Sequence, residues 1–100
     1  MSQLISIETK RYSEFFRRVL VAYGDNAAIR IDGQRMAAAD ALDHWCKNAV
    51  ICETRDFVLM RNGVEVCGFH DHPSETWMIE SELPFVERLV EERIVRARVS

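Results

Sequence analysis

The chain has 100 residues, of which 48% are apolar and 29% are charged, and its formal net charge is −3. This composition favours one globular domain over residues 1–100 and excludes a low-complexity or disordered chain. Apolar runs are much shorter than the ~20 residues of a membrane span, and the first residues lack the pattern of a signal peptide.

The three cysteines also bear on where the protein works. They are Cys46, Cys52 and Cys67, an odd number that contains no CxxC pair. A disulfide framework is therefore not expected, and a reducing compartment suits the chain. We expect a cytoplasmic protein.

The first strong periodic signal predicts a helix that begins near residue 12. Its apolar residues recur at helical spacing and share one face. They are Tyr12, Phe15, Phe16, Val19, Leu20 and Tyr23. Ser6 or Thr9 is placed to cap the start of this helix, and Gly24 is placed for a left-handed residue at its end.

Three shorter elements are predicted in the next part of the chain. Asp32-Gly33 lies between two short runs and predicts a tight hairpin. Apolar residues between Ala38 and Ala49 recur at helical spacing, which predicts a second helix. The following run AVICET, residues 49–54, is rich in β-forming residues and predicts a strand.

Asn62-Gly63, between two alternating apolar runs, is the clearest hairpin signal in the sequence. A two-residue turn there predicts the cross-strand pairs Arg61–Val64, Leu59–Val66 and Phe57–Gly68. The residues on the other face are then Val58, Met60, Glu65, Cys67 and Phe69. Because both faces are largely apolar, we expect both to be covered, either by helices of this chain or by another subunit.

The C-terminal part predicts one more strand, WMIES, and a third helix. Pro84 suits the first turn of that helix, because the first turn needs no backbone donor. The apolar face is predicted to continue through Ala97 and to consist of Phe85, Val86, Leu89, Val90, Ile94 and Ala97. We therefore expect an α+β fold in which three helices pack on an antiparallel sheet of four to five strands.

The segment CGFHDHPSE, residues 67–75, concentrates most of the reactive side chains. On a strand, His70 and His72 would point to the same face, and Glu75 could bend back to join them. These three residues are the candidate ligands of a divalent metal. The main expectation is that the protein has no cofactor, and this metal is the alternative. Two other interpretations of this segment are a polar turn and acid–base use of the imidazoles.

Three functional hypotheses follow. An enzyme is the less favoured class, because no phosphate loop, GxSxG or complete catalytic set is present. The first is a small interaction or regulatory protein that recognises a protein partner by surface contact, with a homodimer as one possible form. Its candidate interface residues are Val58, Met60, Phe69 and Trp77. The second is a metal-binding protein or small metalloenzyme built on His70, His72 and Glu75.

The third hypothesis is nucleic-acid binding through the basic side of the first helix. Residues 1–35 carry a net charge of +2, residues 36–92 carry −8, and residues 93–100 carry +3. The candidate contacts are Lys10, Arg11, Arg17 and Arg18. The acidic middle of the chain places this hypothesis behind the other two.

Overall fold

Residues 3–99 fold into one antiparallel sheet of seven strands, with the helices packed on one of its faces. The computed structural model describes residues 3–99. The strands are β1 Leu4–Glu8, β2 Ala28–Ile31, β3 Gln34–Met36, β4 Asp56–Arg61, β5 Val64–His70, β6 Trp77–Ile79 and β7 Arg96–Val99. The helices are α1 Tyr12–Tyr23, α2 Ala38–Asp40, α3 Asn48–Glu53 and α4 Leu83–Glu91. A π-helical turn spans Ala41–Trp45, and two 3₁₀ turns span Pro73–Glu75 and Glu80–Glu82.

The predicted α+β class and the antiparallel sheet are confirmed, but the predicted number of elements was wrong. The sheet has seven strands rather than four or five, in the order β3-β2-β4-β5-β6-β1-β7, and residues 3–99 form four α-helices rather than three. The sequence prediction missed β1 and β7, which pair with each other at one side of the sheet. No helix in residues 3–99 has the length and apolar character needed to cross a bilayer.

Alternation along the strands turns one set of side chains toward the helices. The sheet residues in this core are Ile5, Ile7, Ile29, Ile31, Phe57, Leu59, Val66, Cys67, Phe69 and Met78. Phe16 of α1 lies at the centre of this core. The centroid of its ring is 5.3 Å from the ring centroid of Phe57 and 5.8 Å from that of Phe69. Trp45 stacks on Phe57 at 4.8 Å, so the predicted aromatic face of α1 and the π-helical turn share one core.

The hairpin between β4 and β5 forms as predicted at its turn but not along its strands. Asn62 and Gly63 take left-handed conformations, as a two-residue turn requires, and Arg61 pairs with Val64. Further along, the predicted pairs were wrong, because Leu59 pairs with Cys67 and Phe57 pairs with Phe69. The register shift between Leu59 and Met60 puts one extra residue into β5, and Cys67 and Phe69 therefore turn to the core face.

The run AVICET was wrongly predicted as a strand, since most of it forms α3. Ile51 of α3 is fully buried in the core, while Cys52 is exposed. The side chain of Thr54 fixes the helix end, because its hydroxyl donates to the Val50 carbonyl at 2.7 Å and accepts the Trp45 indole N–H at 2.9 Å. Tertiary contacts thus outweigh the β preference of this run.

The third predicted helix was too long at its C-terminal end. Pro84 lies in the first turn of α4 as predicted, but α4 ends at Glu91 and Arg93 takes a left-handed conformation with φ 60°. The Ile94 N–H donates to the Leu89 carbonyl at 2.9 Å, which closes the helix end. The chain then leaves the helix axis, and Ile94 enters the core before β7 begins.

Gly24 also differs from its prediction. Its φ is −68°, an ordinary right-handed value, so no left-handed conformation explains the glycine. A Cβ atom at this position would lie 2.8 Å from the Cβ atom of Ala38 and would also meet the Leu20 carbonyl oxygen. Gly24 therefore allows the close approach of α2 to the end of α1.

Candidate functional site

The face of the sheet that points away from the helices, here called the outer face, holds one unbroken row of residues across all seven strands. Each member is the cross-strand partner of the next. In order from β3 to β7, this central row consists of Arg35, Arg30, Val58, Gly68, Trp77, Ser6 and Arg98. Its middle is apolar and both of its ends are arginines.

Trp77 is placed over the middle of the central row by the glycine beside it. A Cβ atom at Gly68 would lie 3.0 Å from Cζ2 and 3.4 Å from Cε2 of Trp77, so the indole ring occupies the space that a side chain would take. Val58 lies on the other side of Gly68, and Met60 follows two residues along β4. These three apolar side chains are only partly buried and lie outside the core cluster.

Shallow depressions lie toward both ends of the central row. One of about 530 Å³ is lined by Ser6, Glu8, Ser74, Arg96 and Arg98, together with Ile7 and Ala97. The other, of about 440 Å³, is lined by Ala28, Arg35, Met60, Asn62 and neighbouring residues. Each depression contains at least one exposed arginine side chain, so a carboxylate could enter either of them.

The predicted interface residues are divided between the two faces of the sheet. Val58, Met60 and Trp77 share the outer face, as a common surface requires. Phe69 lies on the core face with 0% exposure, because the extra residue in β5 reverses its direction. Three of the four predicted interface residues therefore share the outer face, and Phe69 does not.

The predicted metal ligands do not come together. Asp71 takes a left-handed conformation with φ 75° between the two histidines, so the regular strand assumed in the prediction ends at His70. The Nδ1 atom of His70 lies 2.6 Å from an Asp56 oxygen, while Nδ1 of His72 accepts the Ser74 N–H at 3.0 Å. Glu75 belongs to the following 3₁₀ turn. Within residues 3–99, no three His, Cys, Asp or Glu side chains are grouped to hold a metal ion.

The basic residues proposed for nucleic-acid contact lie at the start of α1 and on its exposed side. Arg17 is 3.6 Å from Glu14, and Arg18 forms a bidentate pair with Glu92 at 2.6 Å and 3.0 Å. The hydrogen bonds from Arg18 hold the pKa of Glu92 below its usual value, and the pKa of Arg18 is raised by the same contact. Lys10 and Arg11 precede the helix. Arg18 is thus engaged with carboxylates of the chain itself.

Sequence reasoning missed the arginines of the outer face. Arg30 and Arg98 lie on the same row because their strands, far apart in sequence, join one sheet. The signal that could have found them is alternation, since Arg96 and Arg98 alternate with apolar residues in the run VRARV. That run was assigned to a helix, which hid the alternation.

The buried thiols do not contribute to this surface. Burial raises the pKa of Cys46 to about 11 and also raises the pKa of Cys67, which points into the core with 0% exposure. A thiol that keeps its proton is a poor nucleophile and a poor metal ligand. Cys52, on α3, is exposed but lies on the helix layer.

The outer face is therefore the candidate site on the strength of its geometry. It combines a partly exposed apolar centre, arginines at both ends, and a rigid sheet that holds them in register. Comparisons of the chain with protein-family models, with curated proteins and with solved structures gave no match.

Proposed function

We propose that this protein is an interaction module that recognises another protein through the outer face of its sheet. The observation that carries the proposal is the group formed by Val58, Met60 and Trp77, three apolar side chains that lie together on the face opposite the helices. Apolar side chains gathered on one exposed face are typical of binding surfaces. Tryptophan, methionine and arginine are also enriched in interfaces between proteins.

The rigidity of the sheet supports the same function. The residues of the central row are held by strand pairing on both sides, except at the two edges of the sheet. A partner that docks on such a surface does not have to order the backbone first, so less conformational entropy is lost on binding. Trp77 is further restricted because its ring lies against Gly68.

The dimensions of the outer face suggest a transient complex. Six strand spacings of ~4.8 Å make the face roughly 29 Å wide, and strands of about five residues make it roughly 16 Å long. The flat outline of the face is roughly 460 Å², which is small beside the ~800 Å² of accessible surface that each partner contributes to a standard interface. We expect an affinity in the micromolar range, typical of regulatory contacts.

The test compares three immobilised forms of the protein as baits for its partner. The wild type, an outer-face variant with Met60→Ser and Trp77→Ser, and the control variant Val21→Ser are each exposed to a lysate of the source cells. Val21 is 70% exposed on α1, in the helix layer, so its substitution leaves the outer face intact. A captured protein counts only when the purified pair binds in solution.

We expect at least one protein that binds the wild type and Val21→Ser equally and binds the outer-face variant at least about tenfold more weakly. Circular dichroism of the three forms checks that they are folded alike. The proposal is wrong if every purified partner binds the outer-face variant as tightly as it binds the wild type.

A further inference from the structure

We infer, on the basis of this proposed function, that the partner presents an acidic protein surface in which carboxylates flank a central apolar contact on both sides. The outer face carries four exposed arginines, Arg30, Arg35, Arg96 and Arg98, in a chain whose formal net charge is −3. The sign of the charge at both ends of the central row is therefore opposite to that of the whole molecule. Complementary charge of this kind sets which partner is accepted and how it is oriented.

The two arginines on β2 and β3 form one cationic end. Arg30 and Arg35 are direct cross-strand partners, and both side chains are exposed. Two like charges placed opposite each other destabilise a sheet unless an anion lies between them. Arg35 also lines the depression beside Met60, so a carboxylate bound there would adjoin the apolar centre.

The other cationic end lies on β7. Arg96 and Arg98 line the depression of about 530 Å³ beside Ser6, which is the cross-strand neighbour of Trp77. Glu8 is the direct partner of Arg96 and offsets part of the charge there, whereas Arg98 lies opposite the uncharged Ser6. Arg98 is therefore the better placed of the two to bind an anion of the partner.

The strand spacing gives the pattern that the partner must match. Trp77 is two strands from Arg98 and three strands from Arg30. At ~4.8 Å per strand, these separations are roughly 10 Å and roughly 14 Å. A matching partner places an apolar side chain over Trp77 and carboxylates about these distances away, in opposite directions.

A second copy of the chain is a poor match for this pattern. Sheets often pack face to face with their strands nearly aligned. A two-fold axis that runs along the strands, between two such sheets, would lay Arg35 of one copy near Arg98 of the other. The arginine ends would then repel each other, so the charges favour a different, acidic protein.

A nucleic acid is also a weaker match than an acidic protein. The outer face carries carboxylates of its own, namely Glu8, Asp56 and Glu65, and these would repel a continuous line of phosphates. Its centre contains one aromatic ring, Trp77, whereas single strands are usually held by several stacked bases. A protein surface can pair separate carboxylates with the arginines and leave the apolar centre dry.

The test is a two-dimensional amide NMR titration with synthetic peptides of about eight residues, which is the length of an extended chain spanning roughly 24 Å. One peptide has an apolar centre and glutamates at both ends, and two matched peptides carry glutamine or lysine in place of glutamate. The two tryptophan indole N–H signals give an internal control, because Trp45 is buried and bonded to Thr54 whereas Trp77 lies on the outer face. A thymidine oligonucleotide is the fourth probe.

We expect the glutamate peptide to shift the Trp77 signal and the amides of the central row, and to bind at least about tenfold more tightly than the glutamine peptide. The Trp45 signal should stay in place, and Arg30→Gln with Arg98→Gln should remove the preference for glutamate. Raising the salt from about 50 mM to about 300 mM should weaken the glutamate peptide most.

Several results would overturn the inference. One such result is that the glutamate and glutamine peptides bind equally, and another is that no signal shifts at millimolar peptide. Either result would show that the partner is not selected by its acidic charge. This conclusion would hold even if the partner captured in the lysate experiment requires Trp77 for binding. Preferential binding of the oligonucleotide would identify a nucleic-acid surface instead. A concentration-dependent dimer, seen by sedimentation velocity and abolished by Trp77→Ser, would identify a second copy as the occupant.

Discussion

Gly68 determines the packing of the central row at the scale of single residues. A Cβ atom there would lie 2.6 Å from the Phe57 carbonyl oxygen and 3.0 Å from the Trp77 ring. The first of these contacts is with backbone, which cannot rotate away as a side chain can. A glycine is therefore required at this position although its φ is not left-handed.

We expect Gly68→Ala to lower the free energy of unfolding by about 1–3 kcal/mol, because β4 and β5 must separate to admit the methyl group. Urea unfolding of the variant and the wild type measures this difference. Ser6→Ala, at an exposed position of the same row, should change it by less than about 0.5 kcal/mol. Equal stability of Gly68→Ala and the wild type would show that the packing around Trp77 is looser than described.

Thr54 is the second residue on which local structure depends. It is 4% exposed, and its hydroxyl is the acceptor for the buried Trp45 indole N–H. Thr54→Val keeps the shape but removes that acceptor, so we expect a loss of about 1–3 kcal/mol in the free energy of unfolding. Thr54→Ser retains the hydroxyl and should lose less. The idea fails if the two variants unfold at the same urea concentration.

At the scale of elements, one ion pair links the exposed sides of α1 and the end of α4. Arg18 lowers the pKa of Glu92, so the folded state favours the charged carboxylate. The resulting stability is fully present above the pKa of Glu92 in the unfolded chain and is lost as the pH falls through the lower, folded-state value. Because both side chains are solvent-exposed, the effect is small and screened by salt.

Glu92→Gln should therefore lower the melting temperature slightly at about pH 7, and this difference should shrink in acid as the carboxylate becomes protonated. Thermal unfolding followed by circular dichroism measures both conditions. Glu87→Gln, an exposed change on α4, serves as the control. A difference between Glu92→Gln and the wild type that persists in acid would show that the carboxylate charge is not its cause.

Sequence patterns predicted those elements whose signals are local. Three predictions that depend only on neighbouring residues are confirmed. They are helix α1, the left-handed turns at Asp32-Gly33 and Asn62-Gly63, and Pro84 in the first turn of α4. Strands β1 and β7 were missed because each is stabilised by a partner about ninety residues away. The predicted register of β5 was wrong because the extra residue depends on packing in the core. The local sequence of β5 does not specify that packing.

The candidate site was predicted only in its apolar part for the same reason. Alternation assigned Val58 and Met60 to one face, whereas Trp77 was included among the interface residues without being assigned to a face. Phe69 was misplaced by the register, and the arginines were not included because they depend on the strand order. Strand order is a property of the whole sheet and is not encoded in any single run of residues.

At the scale of the whole molecule, the order of the strands creates the site. The central row takes its members from strands that span the described chain, from Ser6 on β1 to Arg98 on β7. Since β1 lies between β6 and β7, the row is complete only in the fully folded sheet. We therefore expect binding to be lost in the same cooperative transition as the fold.

The most direct test of the account is the affinity of the purified partner for the wild type, for Trp77→Ala and for Val21→Ala, measured by isothermal titration calorimetry. Trp77 and Val21 both expose apolar surface, but they lie on opposite layers of the molecule. We expect Trp77→Ala to weaken binding at least about tenfold and Val21→Ala to leave it unchanged. Equal affinities for all three forms would contradict the central claim that the outer face is the recognition surface.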